Sequence, residues 1–378
     1  MFGSSKLVTS DRFREWYVDR VEARLDVVYA DEVTDVSLDV DNEGLVIFSD
    51  HHKGAQDGAD DFWRCEPAYC AALGYYEERG YRLCVLGDGE ELWECEPNEV
   101  TREYTEVFAL ENEFQKTPGR YLRCWGNHDS EWSTRKNVEE HLFAVLPGVE
   151  VRSAFRLKLL SGQQELGNML LIHGHQGTIE SEQFADPSKW LVRHAWRPIQ
   201  RRLKTPSTTA ATDWRLRDAH STALYAWAAK RAQAEKLVVV AGHTHKPVFS
   251  SPGSRDELQR HSDARLAELE QSYHNAPLGS EERACARAAL EATKAKSSER
   301  ATPALRDIEM EEACYFNTGC CSFGDGSISG LEVADGKIRL VSWPWPQGVD
   351  RPSKVTLEEA HLNEVFGSLP ATNAPTEA

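Results

Sequence analysis

Residues 236–247, KLVVVAGHTHKP, combine a strand-like run with two candidate metal ligands. The β-branched apolar residues at 238–240 are typical of a strand that lies inside a sheet. The run ends at Gly242, where a glycine permits the backbone to turn. His243 and His245 follow one residue apart, so both imidazoles can face the same point. The pattern predicts a strand that delivers two histidines to a site at its carboxyl end.

Four other strand-like runs end in the same way, although each loop alone could be an ordinary polar turn. Their polar residues are Asp50 and His52 after residues 44–48, Asp88 after 81–86, Asn127, His128 and Asp129 after 120–125, and His173 and His175 after 168–172. Open α/β sheets bind ligands at the carboxyl ends of their strands. So many Asp, Asn and His side chains exceed the needs of one tetrahedral zinc and suit two metals that share a bridging carboxylate.

The ordered motifs resemble those of the calcineurin-like metallophosphoesterase superfamily. They are Asp50-x-His52, Gly87-Asp88-x-x-Glu91, Gly126-Asn127-His128-Asp129, His173, Gly242-His243-Thr244-His245 and the later Asn317-Thr318-Gly319, which precedes a pair of strand-like runs. The resemblance implies a four-layer α/β/β/α sandwich of two mixed sheets, with helical insertions that form a cap. The tripeptide at residues 50–52 also names another phosphoesterase superfamily, but there it follows an earlier aspartate-rich strand, and we expect no such strand before residue 44.

The resemblance also implies a role for each motif residue. The expected ligands are Asp50, His52 and His245 for one metal and Asn127, His173 and His243 for the other, with Asp88 as the bridge. His128 would protonate or stabilise the leaving oxygen, and Asp129 would steady His128. Glu91 could orient a ligand histidine without binding a metal itself. The expected cofactors are two divalent ions, with Mn first and Fe or Zn as alternatives, because oxygen and nitrogen ligands suit these metals better than calcium.

The chemistry of such a site can be argued from the residues themselves. Two divalent ions make hydroxide available near neutral pH and hold phosphoryl oxygens for in-line displacement. An imidazole such as that of His128 titrates near working pH and suits a general acid. We therefore expect a two-metal-dependent phosphoesterase that hydrolyses a phosphomonoester, phosphodiester or pyrophosphate by metal-bridged hydroxide attack. A nuclease acting on phosphodiesters and a noncatalytic protein-binding scaffold on the same fold stay open as alternatives.

The composition limits the partners. The chain has 43 Lys and Arg against 61 Asp and Glu, a formal net charge of −18. This charge disfavours long nucleic acid and anionic membranes, so an anionic phosphate-ester substrate needs a local positive centre. No apolar run approaches the ~18 residues of a transmembrane segment. The sequence has nine cysteines without a C-x-x-C pair, and we see no signal segment. We therefore expect reduced thiols and a cytoplasmic protein. The oligomeric state stays open.

The motifs also predict a domain organisation. We expect an N-terminal helical extension at residues 1–43 and a metallophosphoesterase domain at 44–350. A helical hairpin at 254–300 is an insertion in that domain. The C-terminal tail, 351–378, is expected to be partly disordered.

A second insertion, residues 178–235, carries the strongest positive charge pattern of this acidic chain. Arg193, Arg197 and Arg201 recur every fourth residue and so share one helical face. We predict that they form a basic helical cap that binds the anionic substrate, with His175 as a further contact. A merely solvated basic face is the alternative.

Overall fold

The computed structural model describes residues 11–178, 214–249, 312–345, 351–367 and 369. The chain divides into two units, Met1–Phe249 with Ala313–Ala378 and Ser250–Glu312. All the elements described below belong to the first unit. The hairpin that we predict at residues 254–300 lies outside the described residues.

The described elements alternate between helices and strands over most of the chain. The helices are α1 Asp11–Val27, α2 Glu66–Glu78, α3 Pro97–Glu103, α4 Thr105–Gln115, α5 Trp214–Glu235 and α6 Leu362–Gly367. The strands are β1 Val33–Asp39, β2 Leu45–Phe48, β3 Arg82–Leu86, β4 Tyr121–Cys124, β5 Val151–Arg152, β6 Ala154–Ser161, β7 Gln164–Ile172, β8 Leu237–Ala241, β9 Val248–Phe249, β10 Tyr315–Asn317, β11 Ile328–Ala334, β12 Lys337–Trp343 and β13 Val355–His361. Short helical turns lie at Val28–Glu32, Ser130–Ser133, Arg135–Asn137 and Val138–Leu142.

Two mixed sheets form the centre of an α/β sandwich, as the sequence predicts. One sheet has the strand order β1-β6-β7-β8-β10-β9 and the other β13-β12-β11-β2-β3-β4-β5. Strands β2, β3 and β4 are parallel neighbours, and so are β7 and β8. The five strands that release the predicted site residues therefore form two parallel groups, and within each group the carboxyl ends lie at one edge.

Apolar packing fixes the strand ends that carry the site. Strand β2 is buried along its whole length, as expected for a parallel strand covered on both faces. Phe48 at its end packs edge-on against Tyr69 and Tyr76 of α2. Burying each large apolar side chain contributes about 1.5–3 kcal/mol. On the other sheet, α1 and α5 pack against each other, and α5 also contacts β8 and β10.

Three segments differ from the domain prediction. The N-terminal extension is only partly helical, because Val33–Asp39 forms β1 and pairs with β6. The C-terminal tail includes β13, which pairs with β12, and α6. Both β1 and β13 are edge strands with few apolar residues, so their sequence signal is weak. Trp214–Glu235, predicted as part of the cap, is α5 and belongs to the helix layer beside β8.

None of the described helices combines the length and apolarity that a membrane span requires.

Candidate metal centre

The predicted ligands converge at the carboxyl ends of β2, β3, β4, β7 and β8. Asp and His side chains form three groups here. Within each group, one possible ligand atom from each residue lies within 4.8 Å of the others. The groups are Asp50 with His52 and His245, Asp88 with His173 and His243, and His52 with Asp88 and His128. The third group joins the other two, so all three belong to one centre.

Asp88 occupies the middle of this centre. Its Oδ2 atom lies 3.1 Å from His173 Nε2 and 3.8 Å from His52 Nε2. Its Oδ1 atom accepts a hydrogen bond from the backbone N–H of His128 at 2.8 Å. The side chain is buried. One carboxylate thus faces a histidine from each of the two predicted ligand sets, which is the position that a bridging ligand needs.

The hydrogen bonds of two histidines determine where their lone pairs point. His173 Nδ1 lies 2.9 Å from the Leu86 carbonyl oxygen, and His52 Nδ1 lies 3.0 Å from Glu91 Oε2. Both partners are acceptors, so Nδ1 carries the proton in each ring. Nε2 is then the ring atom that faces Asp88 in both histidines. This tautomer is the one that binds a metal through Nε2.

The centre also brings several buried acceptors close together. In the part of the chain that the structure describes, Asp50 and Asp88 form ion pairs only with histidines. His52 Nε2 and His245 Nε2 face each other at 3.1 Å. The buried Oδ1 of Asn127 has no hydrogen-bond partner among the described residues. Buried acceptors that converge in this way need a proton or a cation between them, so the residues fit divalent metal ions.

The pKa shifts in the centre also indicate that its carboxylates stabilise nearby positive charge. Burial lowers the pKa of His173, but the charges of Asp88 and Asp50 outweigh burial and raise it to about 9. Burial raises the pKa of Asp88, but His173 and His128 bring it well below its usual range. Burial and the charge of His173 keep the pKa of His243 well below its usual range, so this ring is neutral and ready to bind a metal.

The backbone is strained where the ligands lie. Five predicted ligands have positive φ angles, namely Asp50 at 54°, His52 at 53°, Asp88 at 49°, His243 at 66° and His245 at 55°. Left-handed backbone is uncommon for residues other than glycine. Among the other described residues that are not glycine, only Gln56, Lys236 and Asp335 share it. Each such residue costs about 1–3 kcal/mol, and such strain clusters at functional sites.

Gly242 serves a different purpose from the one predicted. The residues with left-handed backbone are His243 and His245, whereas Gly242 has no such angle. A Cβ atom at position 242 would lie 2.3 Å from Ser49 Oγ and 2.5 Å from Asp50 Oδ2. The glycine is therefore needed for the close approach of the β8 end to the Asp50 carboxylate.

Glu91, and not Asp129, contacts the predicted general acid. Glu91 Oε1 lies 2.9 Å from His128 Nδ1, while the same carboxylate contacts His52. Asp129 instead accepts backbone N–H groups from Gly89 at 2.8 Å and Gly126 at 2.6 Å. The prediction that Asp129 steadies His128 is therefore wrong, because the carboxylate in contact with His128 Nδ1 is that of Glu91. Asp129 is buried and joins the loops after β3 and β4.

The charge of Glu91 also affects His128. Burial lowers the pKa of His128, but Glu91 and Asp88 outweigh burial and raise it to about 9. Burial raises the pKa of Glu91, but His128 and His52 lower it to about 2. His128 therefore holds a proton at neutral pH. Because Nδ1 is bound to Glu91, Nε2 is the atom that can give this proton away.

His175 and His220 lie behind the second ligand set. His175 is buried, and its ring centroid is 5.4 Å from that of His173. His220 of α5 is also buried; its Nε2 contacts the Gly174 carbonyl oxygen, and its Nδ1 lies 3.1 Å from the Tyr17 hydroxyl of α1. His220 is a structural residue that holds the loop after β7.

A network of buried charges lies next to the centre. Lys53 Nζ contacts Glu111 at 2.8 Å and Glu90 at 3.2 Å. Arg123 Nη1 lies 3.3 Å from Glu111 Oε2, and its Nη2 contacts Glu90. All four side chains are fully buried. We call these four residues the buried network. Two cations and two carboxylates balance each other in it.

The three arginines of the predicted basic face, Arg193, Arg197 and Arg201, lie outside the described residues.

Comparisons with known proteins add little. No protein-family model matches the chain, and no curated protein sequence matches it. Among solved structures the chain is similar to "GAP50 the anchor in the inner membrane complex of Plasmodium", with a TM-score of 0.32 and 13% identity over 88% of this chain and 98% of that one. A similarity this low carries no conclusion about function.

Proposed function

We propose that this protein is a two-metal-dependent phosphoesterase of the calcineurin-like type, which hydrolyses an anionic phosphate ester. The observation that carries the proposal is the position of Asp88 between two sets of histidine and aspartate ligands. The left-handed backbone at five of the predicted ligands supports it, because strain of this kind persists at functional sites.

The predicted ligands would hold the ions in two sets that share one carboxylate. Asp50, His52 and His245 would bind one ion and Asn127, His173 and His243 the other, with Asp88 between them. When bound, the ions would lower the pKa of an attacking water and neutralise charge on the phosphoryl oxygens. The donor atoms are oxygen and nitrogen, which favours Mn, with Fe or Zn as alternatives.

The remaining residues of the centre would hold and donate the proton that the leaving oxygen needs. Glu91 holds the Nδ1 proton of His128, so His128 Nε2 would donate a proton to the oxygen that leaves the phosphorus. The leaving alkoxide is a strong base, and a positioned acid of this kind typically contributes about 10²–10⁴ in rate. Glu91 also holds the Nδ1 proton of His52, so a single carboxylate would orient both a metal ligand and the acid.

The proposal includes partners and location. Net charge of −18 opposes binding of long nucleic acid, which supports a small phosphate ester over a nuclease substrate. The cysteine pattern of the sequence supports a reducing, cytoplasmic location.

The experiment that tests this function compares two Asp→Asn variants. Asp88→Asn should lose bound metal and hydrolysis of p-nitrophenyl phosphate and its bis ester in Mn-containing buffer, since one carboxylate serves both ions. Asp335→Asn is the matched control, because Asp335 is exposed and also has a left-handed φ of 54°. It should behave as the unmodified chain does. An Asp88→Asn variant with unchanged metal content and turnover would refute the proposal.

A further inference from the structure

Trp93 lies on the ring of the predicted acid. The centroids of Trp93 and His128 are 4.1 Å apart, and their planes differ by 20°. This is a face-to-face stack, whereas His52 meets the same imidazole edge-on at 86°. Among the described residues, the other ring contacts are edge-on or tilted. The indole therefore covers one face of His128 and restricts rotation of its ring.

Trp93 also binds the backbone beside that ring. Its Nε1 donates a hydrogen bond to the Asn127 carbonyl oxygen at 2.8 Å. Asn127 is a predicted metal ligand, and His128 follows it directly in the chain. One side chain thus contacts both the ring of the predicted acid and the peptide that carries it.

Three contacts together define the orientation of His128. Glu91 holds Nδ1 at 2.9 Å, Asp88 holds the backbone N–H at 2.8 Å, and Trp93 fixes the plane of the ring. Glu91 alone would leave the imidazole free to tilt about its Nδ1 contact. The stack removes that freedom, so the direction of Nε2 depends on Trp93. Proton transfer requires this alignment within a few tenths of an ångström.

We propose that Trp93 is a positioning residue that aligns His128 for proton donation to the leaving group. This inference rests on the proposed function, because it needs a hydrolytic reaction to act on. Its effect should depend on the leaving group. A poor leaving group such as phenolate needs the proton, whereas p-nitrophenolate leaves with little help.

The test uses the full chain with Mn, phenyl phosphate and p-nitrophenyl phosphate, or the corresponding diesters if the chain prefers diesters. Trp93→Leu removes the stack and the N–H donor, and Trp93→Phe keeps an aromatic face. Trp93→Leu should lower kcat for the phenyl ester about tenfold more than kcat for the p-nitrophenyl ester, with unchanged metal content. Trp93→Phe should lie between Trp93→Leu and the unmodified chain. Trp16→Leu is the control, because Trp16 is exposed on α1.

A double variant separates positioning from general damage. In a His128→Ala background, Trp93→Leu should change kcat for the phenyl ester by less than about twofold, because residues that act through one another are not additive. Equal losses on both esters, or loss of metal in Trp93→Leu, would overturn the inference and leave the proposed function intact. An unmodified chain that hydrolyses no ester in any supplied metal would overturn both.

Discussion

The buried network and the candidate metal centre share two loops, but they balance their charges differently. His52 and Glu91 belong to the centre, and the adjacent Lys53 and Glu90 belong to the network. In the network, two cations neutralise two carboxylates. In the centre, the ion pairs of Asp50 and Asp88 among the described residues are all with histidines. The network is thus balanced by its own cations, whereas the proposed metal ions would balance the carboxylates of the centre.

The largest effect on folding is expected on the network side of this comparison. Lys53→Met would leave the buried Glu90 and Glu111 with one cation in place of two. Removing one partner of a buried ion pair costs about 3–5 kcal/mol, so the free energy of unfolding, measured with urea, should fall by that amount. Lys116→Met is the matched control. Its ion pair with Glu113 is exposed, and such pairs contribute about 0–1 kcal/mol. Equal effects of the two variants would mean that the network is not a stabilising unit.

The next effect is expected on catalysis at the centre. His128→Ala should retain the metals and slow turnover by ~10² or more if His128 is the general acid, which corresponds to about 2.7 kcal/mol of activation free energy. Steady-state kinetics and metal analysis of the same sample check this. His141→Ala, on the partly exposed side of a helical turn, should leave turnover unchanged. An inactive His128→Ala chain that has lost its metals would assign His128 a structural or ligand role.

The smallest and most specific effect on the centre should come from Glu91, which can be compared with the adjacent Glu90. His52 and His128 both contact the Glu91 carboxylate. Glu91→Gln removes its charge and replaces one of its acceptor oxygens with an NH2 donor, and such changes typically cost about 10–100-fold in metal affinity or activity. Glu90→Gln should instead lower the free energy of unfolding, because Glu90 pairs with Lys53 and Arg123. Measuring turnover per folded molecule and urea unfolding for both variants separates the two regions. If both variants changed turnover and the free energy of unfolding in the same way, the network and the centre would not be separate units.

Much of the centre could be predicted because its ligands lie in local motifs. Each ligand follows a recognisable apolar run, as His243 follows β8 and Asp50 follows β2. The order of motifs then predicted which strand ends meet, and the two sheets place them as expected. The edge strands β1 and β13 escaped prediction because exposed polar residues interrupt their apolar pattern, namely Asp35 and Ser37 in β1 and Thr356, Glu359 and His361 in β13.

The contacts behind the ligands could not be read from the sequence, because they join residues far apart in the chain. Glu111 of α4 reaches Lys53 across 58 positions, and His220 reaches Gly174 across 46. Asp129 was assigned to His128 because it is adjacent in sequence, yet neighbouring side chains diverge, and Glu91 makes the contact. The one available signal was the spacing from Asp88 to Glu91, which suggested an orienting carboxylate but not which rings it would bind.

The central claim is that the centre requires two cations which the chain itself does not supply. Its most direct test is the metal content of the purified full chain, measured by mass spectrometry after incubation with Mn, Fe or Zn and removal of free metal. We predict about two ions per folded chain, and about none in Asp88→Asn. A folded chain that retains no metal under any of these conditions would contradict the account and favour a noncatalytic scaffold.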